Sequence, residues 1–320
     1  MCQGPECTSS VVFGGERGAL RMQSLPSAAF SGPGAFEWAG HTDDVMQVVR
    51  VPKEWAALKW VSASRDRTVR LWDRTARDPL CTLCAHTLAV SAVCCLREHS
   101  GMICSGSRAA EVAFWDAETQ QCLRMTTVAN NTVTAIVEGA DPALAGHAVV
   151  QAGEDRVLRI WDVREKAAVA TMDQTEQFAK CMAAEQNYIV TGSNGFDESG
   201  VALNLWDLRQ RRCVQTAHPH SQKICAVAMT SFHVPSYAQF AVSASADRTM
   251  VVYDWTTQTV VERVPTADTY GVAMHIGGGE SVSAESAALP VIWCGMFDGS
   301  ARSWTLDPAG TLSPWWALVG

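Results

Sequence analysis

The sequence predicts an all-β fold in which one four-stranded unit is repeated along the chain, and two observations predict it. The first is a motif. "SASRDRTVRLWD" (Ser62–Asp73) returns as "SGSRAAEVAFWD" (Ser105–Asp116), "QAGEDRVLRIWD" (Gln151–Asp162), "SASADRTMVVYD" (Ser243–Asp254) and "CGMFDGSARSWT" (Cys294–Thr305). Another copy, "TGSNGFDESGVALNLWD" (Thr191–Asp207), is lengthened by about five residues in its middle, as surface loops tolerate. The second observation is the period. The closing aromatics are Trp72, Trp115, Trp161, Trp206, Tyr253 and Trp304, spaced 43, 46, 45, 47 and 51 residues apart. That is close to the roughly 40–45 residues of a four-stranded propeller blade.

Each element then follows in order. The small residues of "SAS" make a second strand and "RDR" a tight turn. "TVRLW" makes a third strand, alternating apolar and polar as a half-buried strand does. Upstream, Val90–Cys94, Val133–Val137 and Cys225–Met229 read as inner strands; downstream, Pro79–Cys84 and Gln121–Met125 read as outer strands. Arg164–Gln186 has helix-prone composition, but the period places an outer strand near Ala167–Met172 and an inner one near Phe178–Ala183. Tertiary context overrides propensity in such cases. Four strands per repeat, joined radially, make a β-propeller.

A seventh unit is legible near the N-terminus. "FGGERGALRMQS" (Phe13–Ser24) supplies second and third strands with Gln23 at the aromatic position, and "AFEWAGH" (Ala35–His41) parallels "LCTLCAH" as an outer strand. Met1–Ser10 is polar and contains proline, so it offers no inner strand before Val11, and Leu312–Val319 is already the outer strand after Trp304. Either Met1 is not the natural start, or the ring has an unfilled inner position. The expectation is a single seven-bladed propeller over residues 1–320 whose N-terminal blade lacks its inner strand. The blades lie near 11–39, 43–84, 89–126, 132–172, 178–216, 224–264 and 271–319.

These motifs resemble the WD-repeat family over nearly the whole chain. The resemblance implies a buried polar network in each blade, in which a His before the inner strand, a Ser or Thr on the second strand, the turn Asp and the third-strand Trp hydrogen-bond together. When fully satisfied, such a network fixes one packing of the blade. Carried onto this sequence, it assigns His41, Ser62, Asp66 and Trp72 to one blade. The next keeps His86, Ser105 and Trp115 but has Ala109 where the Asp belongs; its expected network lacks an acid. Asp155 and Trp161 remain without a His; Trp206 marks the lengthened copy; Ser243 and Asp247 accompany Tyr253; Asp298 accompanies Trp304. The run "SNGF…LWDLRQ", with "SASRDR" and "GSR", further resembles a cilium-associated WD-repeat subfamily, that of WD repeat-containing protein thirty-one. That likeness implies a role in small-GTPase-dependent ciliary traffic.

Composition narrows the function. Net charge is −8 with both signs scattered, which leaves no basic footprint for nucleic acid and no polybasic membrane patch. No apolar run approaches the ~18 residues of a membrane span. The N-terminus lacks the layout of a signal peptide, so the twelve cysteines are expected as free thiols in a reducing, cytoplasmic compartment. Cys81 and Cys84 form a C-x-x-C, but residues three apart on a strand face opposite ways, and they read, like Cys94-Cys95, as small apolar residues rather than ligands. Of His218 and His220, one is expected to serve as the network His. Gly277-Gly278-Gly279 has no Lys-Ser/Thr behind it and reads as an elongated turn, not a phosphate loop. No nucleophile–base pair emerges outside the repeat, and no catalytic, cofactor or metal residue is assigned.

The candidate partner surface is the residue before each turn Asp or its equivalent: Arg65, Arg108, Glu154, Asn194, Ala246 and Phe297. The inner-strand approach loops add Asp43, Asp44 and Tyr270, and the inserted loop adds Phe196, Asp197 and Glu198. Arg and aromatic side chains dominate interface energies, and their acidic neighbours point to a mixed-charge protein partner. The expected function is a non-catalytic scaffold, a monomeric subunit of a larger complex. A rival reading takes "IWDVR" and "LWDLR", with Arg164 and Arg209, as the box by which some WD-repeat proteins dock onto a cullin-RING ubiquitin-ligase adaptor as substrate receptors. An enzyme with a site in the central channel is a third, for which no residue set was found.

Overall fold

In the computed structural model the described residues are 10–24, 35–52, 60–73, 76–97, 99, 101–128, 131–144, 147–165, 167–172, 176–195, 200–231, 239–277 and 290–318. They fall into two compact units, Met1–Val128 and Ala129–Gly320. In the first unit, β1 (Ser10–Gly14), β2 (Leu20–Ser24) and β3 (Ala35–Trp38) form a three-stranded sheet. Two four-stranded sheets follow. One is β4 (Val45–Arg50), β5 (Trp60–Ser64), β6 (Thr68–Trp72) and β7 (Cys81–Cys84); the other is β8 (Val90–Cys95), β9 (Met102–Ser107), β10 (Glu111–Asp116) and β11 (Gln121–Thr127).

The second unit holds four sheets of the same plan. They are β12 (Val133–Gly139), β13 (Ala148–Gly153), β14 (Leu158–Asp162) and β15 (Ala168–Met172); β16 (Ala179–Glu185), β17 (Tyr188–Ser193), β18 (Leu203–Asp207) and β19 (Arg212–Ala217); β20 (Ile224–Ser231), β21 (Gln239–Ser245), β22 (Thr249–Asp254) and β23 (Thr259–Pro265); β24 (Gly271–Gly277), β25 (Val291–Met296), β26 (Ala301–Leu306) and β27 (Leu312–Leu318). Every pairing is antiparallel between strands consecutive in sequence.

This is the strand layout of a WD-repeat β-propeller, as the period predicts: six four-stranded sheets and a first sheet with three strands among the described residues. β15 and β16 occupy the stretch whose composition favoured helix. The expectation that nothing before Val11 pairs is corrected at Ser10, which begins β1 and pairs with Ser24; residues 1–9 lie outside the described residues. So do most of the Gly-rich turn after β24 and the residues Phe196, Asp197 and Glu198.

The local rules repeat from sheet to sheet. Each inner strand of the four-stranded sheets carries one register shift near its start, at Val45/Gln47, Val90/Ala92, Val133/Ala135, Ala179/Cys181, Ile224/Ala226 and Gly271/Ala273. A bulge there sharpens the twist of the strand. The turn between second and third strands is equally regular. Arg67, Ala110, Arg156, Arg248 and Gly299 all take positive φ, between 63° and 83°. A three-residue hairpin loop needs its last residue in that left-handed region, and the chain adopts it there even without glycine. The apolar faces make separate cores. Val61, Leu71, Leu83, Val93 and Trp115 pack together in the first unit, and Val242, Val252, Ile292, Trp304 and Leu306 in the second.

Candidate functional site

The polar networks are built from the strands just described. In the β4–β7 sheet, Trp72 Nε1–H donates to Ser62 Oγ at 2.7 Å, Ser62 Oγ lies 2.6 Å from His41 Nε2, and His41 Nδ1 lies 2.8 Å from Asp66. One neutral tautomer satisfies all of them: the serine hydroxyl donates to Nε2, and Nδ1–H donates to the carboxylate. Burial holds the His41 imidazole below the ordinary histidine value, outweighing the opposing pull of Asp66. Burial also works against the Asp66 carboxylate, but hydrogen bonds from Thr68 and His41 outweigh it and bring the group down to about 2. His220 makes the matching contacts in the β20–β23 sheet, 2.9 Å to Asp247 and 2.9 Å to Ser243. His218 Nδ1–H instead donates to the Val201 carbonyl at 2.8 Å. Tyr253 makes no bond to Ser243 among the described residues; its ring sits edge-on to Trp255 at 4.8 Å.

The β8–β11 sheet corrects one expectation. Its network does have an acid. Glu111, two residues after Ala109, reaches His86 Nδ1 at 3.0 Å and also accepts from Thr87 N (3.1 Å), Thr87 Oγ1 (2.6 Å) and Ser107 Oγ (2.9 Å). The extra methylene of Glu makes up for its later position. His86 Nε2 and Trp115 Nε1 both lie 2.7 Å from Ser105 Oγ.

Where no His is present, lengths are traded differently. Trp161 Nε1–H donates to Gln151 at 3.1 Å, and Asn131 accepts from the Asp155 N–H at 3.4 Å. A Cβ added at Gly153 would lie 2.1 Å from Asn131 Oδ1, so only glycine admits that Asn. Asp155 closes on Arg159 at 2.5 Å. Trp206 uses Thr191 (3.0 Å), and Asp298 accepts from Ser300 N and Oγ at 2.9 and 2.6 Å.

The turn residues chosen as a partner surface share one backbone bond. Arg65 N donates to Asp44 O (2.8 Å), Arg108 N to Ala89 O (2.9 Å), Glu154 N to Thr132 O (3.0 Å), Asn194 N to Phe178 O (3.2 Å), Ala246 N to Lys223 O (3.1 Å) and Phe297 N to Tyr270 O (2.9 Å). Each turn is thereby pinned to the loop that leads into its own inner strand, while the side chain takes no part in the bond. Those side chains vary from sheet to sheet: Arg in two, then Glu, Asn, Ala and Phe. Arg65, more than half exposed, stands 3.8 Å from Asp43 and 3.6 Å from Asp44. Phe297 is 69% exposed, and its ring stacks on Tyr270 at 4.9 Å and 13°. Sequence reasoning named both aromatics but not their contact, because they are 27 residues apart and the fold brings them together at the Phe297–Tyr270 backbone bond.

The W-D-x-R arginines are arranged otherwise. Arg164 grips its own Asp162 with Nε and Nη2, at 2.9 and 2.5 Å. Arg209 does the same to Asp207, at 3.0 and 2.7 Å, and adds Tyr188 Oη at 2.8 Å. These hydrogen bonds, more than any other factor, hold both aspartates below the ordinary carboxylate range and raise both guanidinium groups further.

Among the described residues no three His, Cys, Asp or Glu side chains are grouped to hold a metal ion, and no helix is long and apolar enough to cross a membrane. Along β7, Cys81 is buried and Cys84 exposed, as alternation requires.

Comparison with known proteins follows the same residues. The WD domain, G-beta repeat family matches residues 35–73 and 211–254. These two segments hold the His41-bearing repeat and the repeat in which His220 meets Asp247. Nuclear distribution protein nudF of Aspergillus niger is 30% identical over 122 residues, 38% of this chain and 26% of that protein. Striatin-4 of Mus musculus is 29% identical over 224 residues, 67% of this chain and 28% of that protein. Nuclear distribution protein PAC1 of Arthroderma benhamiae is 27% identical over 249 residues, 67% of this chain and 50% of that protein. The chain therefore spans between a quarter and half of the length of these relatives.

Proposed function

Because the chain belongs to the WD-repeat family, we propose that it is a non-catalytic scaffold whose second-to-third-strand turns hold a protein partner. The observation that carries this is the repeated turn bond: one backbone frame, used six times, presents Arg65, Arg108, Glu154, Asn194, Ala246 and Phe297 without using their side chains. A constant frame with variable exposed chemistry suits recognition. Phe297 stacked on Tyr270 is the anchor type that dominates interface energy, and Arg65 between two aspartates gives the mixed charge expected of a protein contact. The inserted Phe196, Asp197 and Glu198 belong to the same proposed surface by their place in the turn. By its resemblance to the cilium-associated subfamily, we assign the scaffold to small-GTPase-linked ciliary traffic, as a cytoplasmic monomer within a larger complex, with residues 1–320 acting as one propeller.

The test is affinity purification of the chain from ciliated and non-ciliated cells, with partners identified by mass spectrometry. Arg65→Glu combined with Arg108→Glu should release the main partner and leave the fold intact, since exposed substitutions usually change stability by only about 0.5 kcal/mol. Arg164→Ala combined with Arg209→Ala should retain it. The reverse pattern would make the ligase-adaptor side the working one. The closed grip of Arg164 on Asp162 and of Arg209 on Asp207 favours the first outcome.

A further inference from the structure

We infer that the chain has a second recognition site, for an acidic peptide segment, at the opposite end of the β16–β19 strands from the Asn194 turn. A cavity of about 390 Å³ opens there, lined by Tyr188, Asp207, Arg209, Val214, Gln215 and Trp255. The volume lies at the lower end of the range in which proteins hold small ligands. Strand geometry makes it: β17 begins at Tyr188, β18 ends at Asp207, β19 carries Val214 and Gln215, and Trp255 follows the end of β22.

Two of its wall residues lack partners for buried polar atoms. Trp255 is 3% exposed, yet among the described residues its indole Nε1–H has no acceptor, and the buried Gln215 Oε1 has no donor. Buried polar groups in folded proteins are nearly always paired, so an orphan donor and an orphan acceptor on two residues that line one cavity call for a group that offers both functions. The Gln215 carboxamide turns about a broad terminal torsion, which lets the wall open toward such a group. A peptide amide offers a C=O to the indole and an N–H to the carboxamide.

The third wall element sets the charge of the occupant. Asp207 and the Tyr188 hydroxyl engage Arg209 through Nε and Nη2, and the guanidinium lies 5.3 Å from the Tyr188 ring centre. Its Nη1 has no hydrogen bond among the described residues, and the side chain is 48% exposed. A planar guanidinium fixed at one edge presents its other N–H groups in a defined direction, which suits a carboxylate. The occupant is therefore a main-chain amide next to an acidic side chain.

The probes are three N-acetylated, C-amidated tripeptides, Ala-Glu-Ala, Ala-Gln-Ala and Ala-Lys-Ala. They are titrated at millimolar concentration into the full chain labelled at its indole nitrogens, with calorimetry alongside. The Trp255 resonance is identified by its loss in Trp255→Phe. Ala-Glu-Ala should shift that resonance and bind at least about tenfold tighter than Ala-Gln-Ala, a difference of about 1.4 kcal/mol; Ala-Lys-Ala should not bind. Arg209→Gln should remove the Glu preference, and Arg209→Lys, which keeps a charge beside Asp207, should weaken it. Arg164→Gln should leave it unchanged. A Trp255 resonance that none of the peptides moves would overturn the inference, as would a Glu preference that survives in Arg209→Gln or stays undiminished in Arg209→Lys.

Discussion

Glu111→Ala should destabilise the chain as much as Asp66→Ala. Glu111 accepts from His86, from Thr87 twice and from Ser107, all in a setting where its side chain is nearly closed to solvent. Removing it strands the His86 Nδ1–H and the Thr87 N–H. A hydrogen bond to a charged group contributes about 1.5–3 kcal/mol, so a loss of about 3 kcal/mol is expected, read from denaturant unfolding at pH 7. Ala109→Asp should shift stability little, because the position it would fill is already served by Glu111. If Glu111→Ala proves neutral while Ala109→Asp stabilises strongly, the carboxylate has been assigned to the wrong residue.

Acid should have a comparable effect. His41 and His86 have imidazole values lowered chiefly by burial, so below the unfolded value near 6.5 the unfolded chain binds protons that the folded chain resists. Their contribution is complete above that value and falls as pH drops through it. For a group that stays neutral in the fold, the loss between pH 6.5 and pH 5 is at most about 2 kcal/mol per imidazole. Protonation would also put a second N–H against the Ser62 hydroxyl, which already accepts from Trp72. Asp66 adds a later step: its carboxyl is lowered to about 2, so the stability it supplies above the usual value near 3.8 is lost as pH falls from there toward 2. The two steps have the same sign. Unfolding free energy measured at pH 7, 6 and 5 should decline steadily; a flat profile would mean that the histidines take up protons in the fold as readily as in the unfolded chain.

The fold was legible in the sequence because each sheet writes its own punctuation: a small-residue strand, a turn with one left-handed residue, and an alternating strand ending in an aromatic. The turn positions were legible for the same reason, and the six backbone bonds fall on the residues that the motif singled out. What the sequence concealed are substitutions that conserve reach rather than identity. Glu111 hid because a longer side chain acts from two positions later, where the motif expects nothing. Asn131 and Gln151 hid because a shorter group replaces His while a longer one replaces Ser, with Gly153 making the room. The Trp255 cavity joins side chains from β17, β18, β19 and the residues after β18 and β22, and no spacing within a single repeat encodes it.

The central claim is that the turn side chains, and not the blade frame itself, hold the partner. Replacing Tyr270 and Phe297 together by Ala removes the stacked pair, of which Phe297 is exposed, and leaves the Phe297 N–H to Tyr270 carbonyl bond possible, since neither change touches the backbone. The affinity of the double variant for the main partner found by purification is the most direct measurement, taken with the thermal midpoint of the free chain. Anchor aromatics are worth about 2 kcal/mol or more, so binding should weaken at least about thirtyfold while the midpoint stays within a few degrees. Unchanged affinity in a folded double variant would contradict the claim.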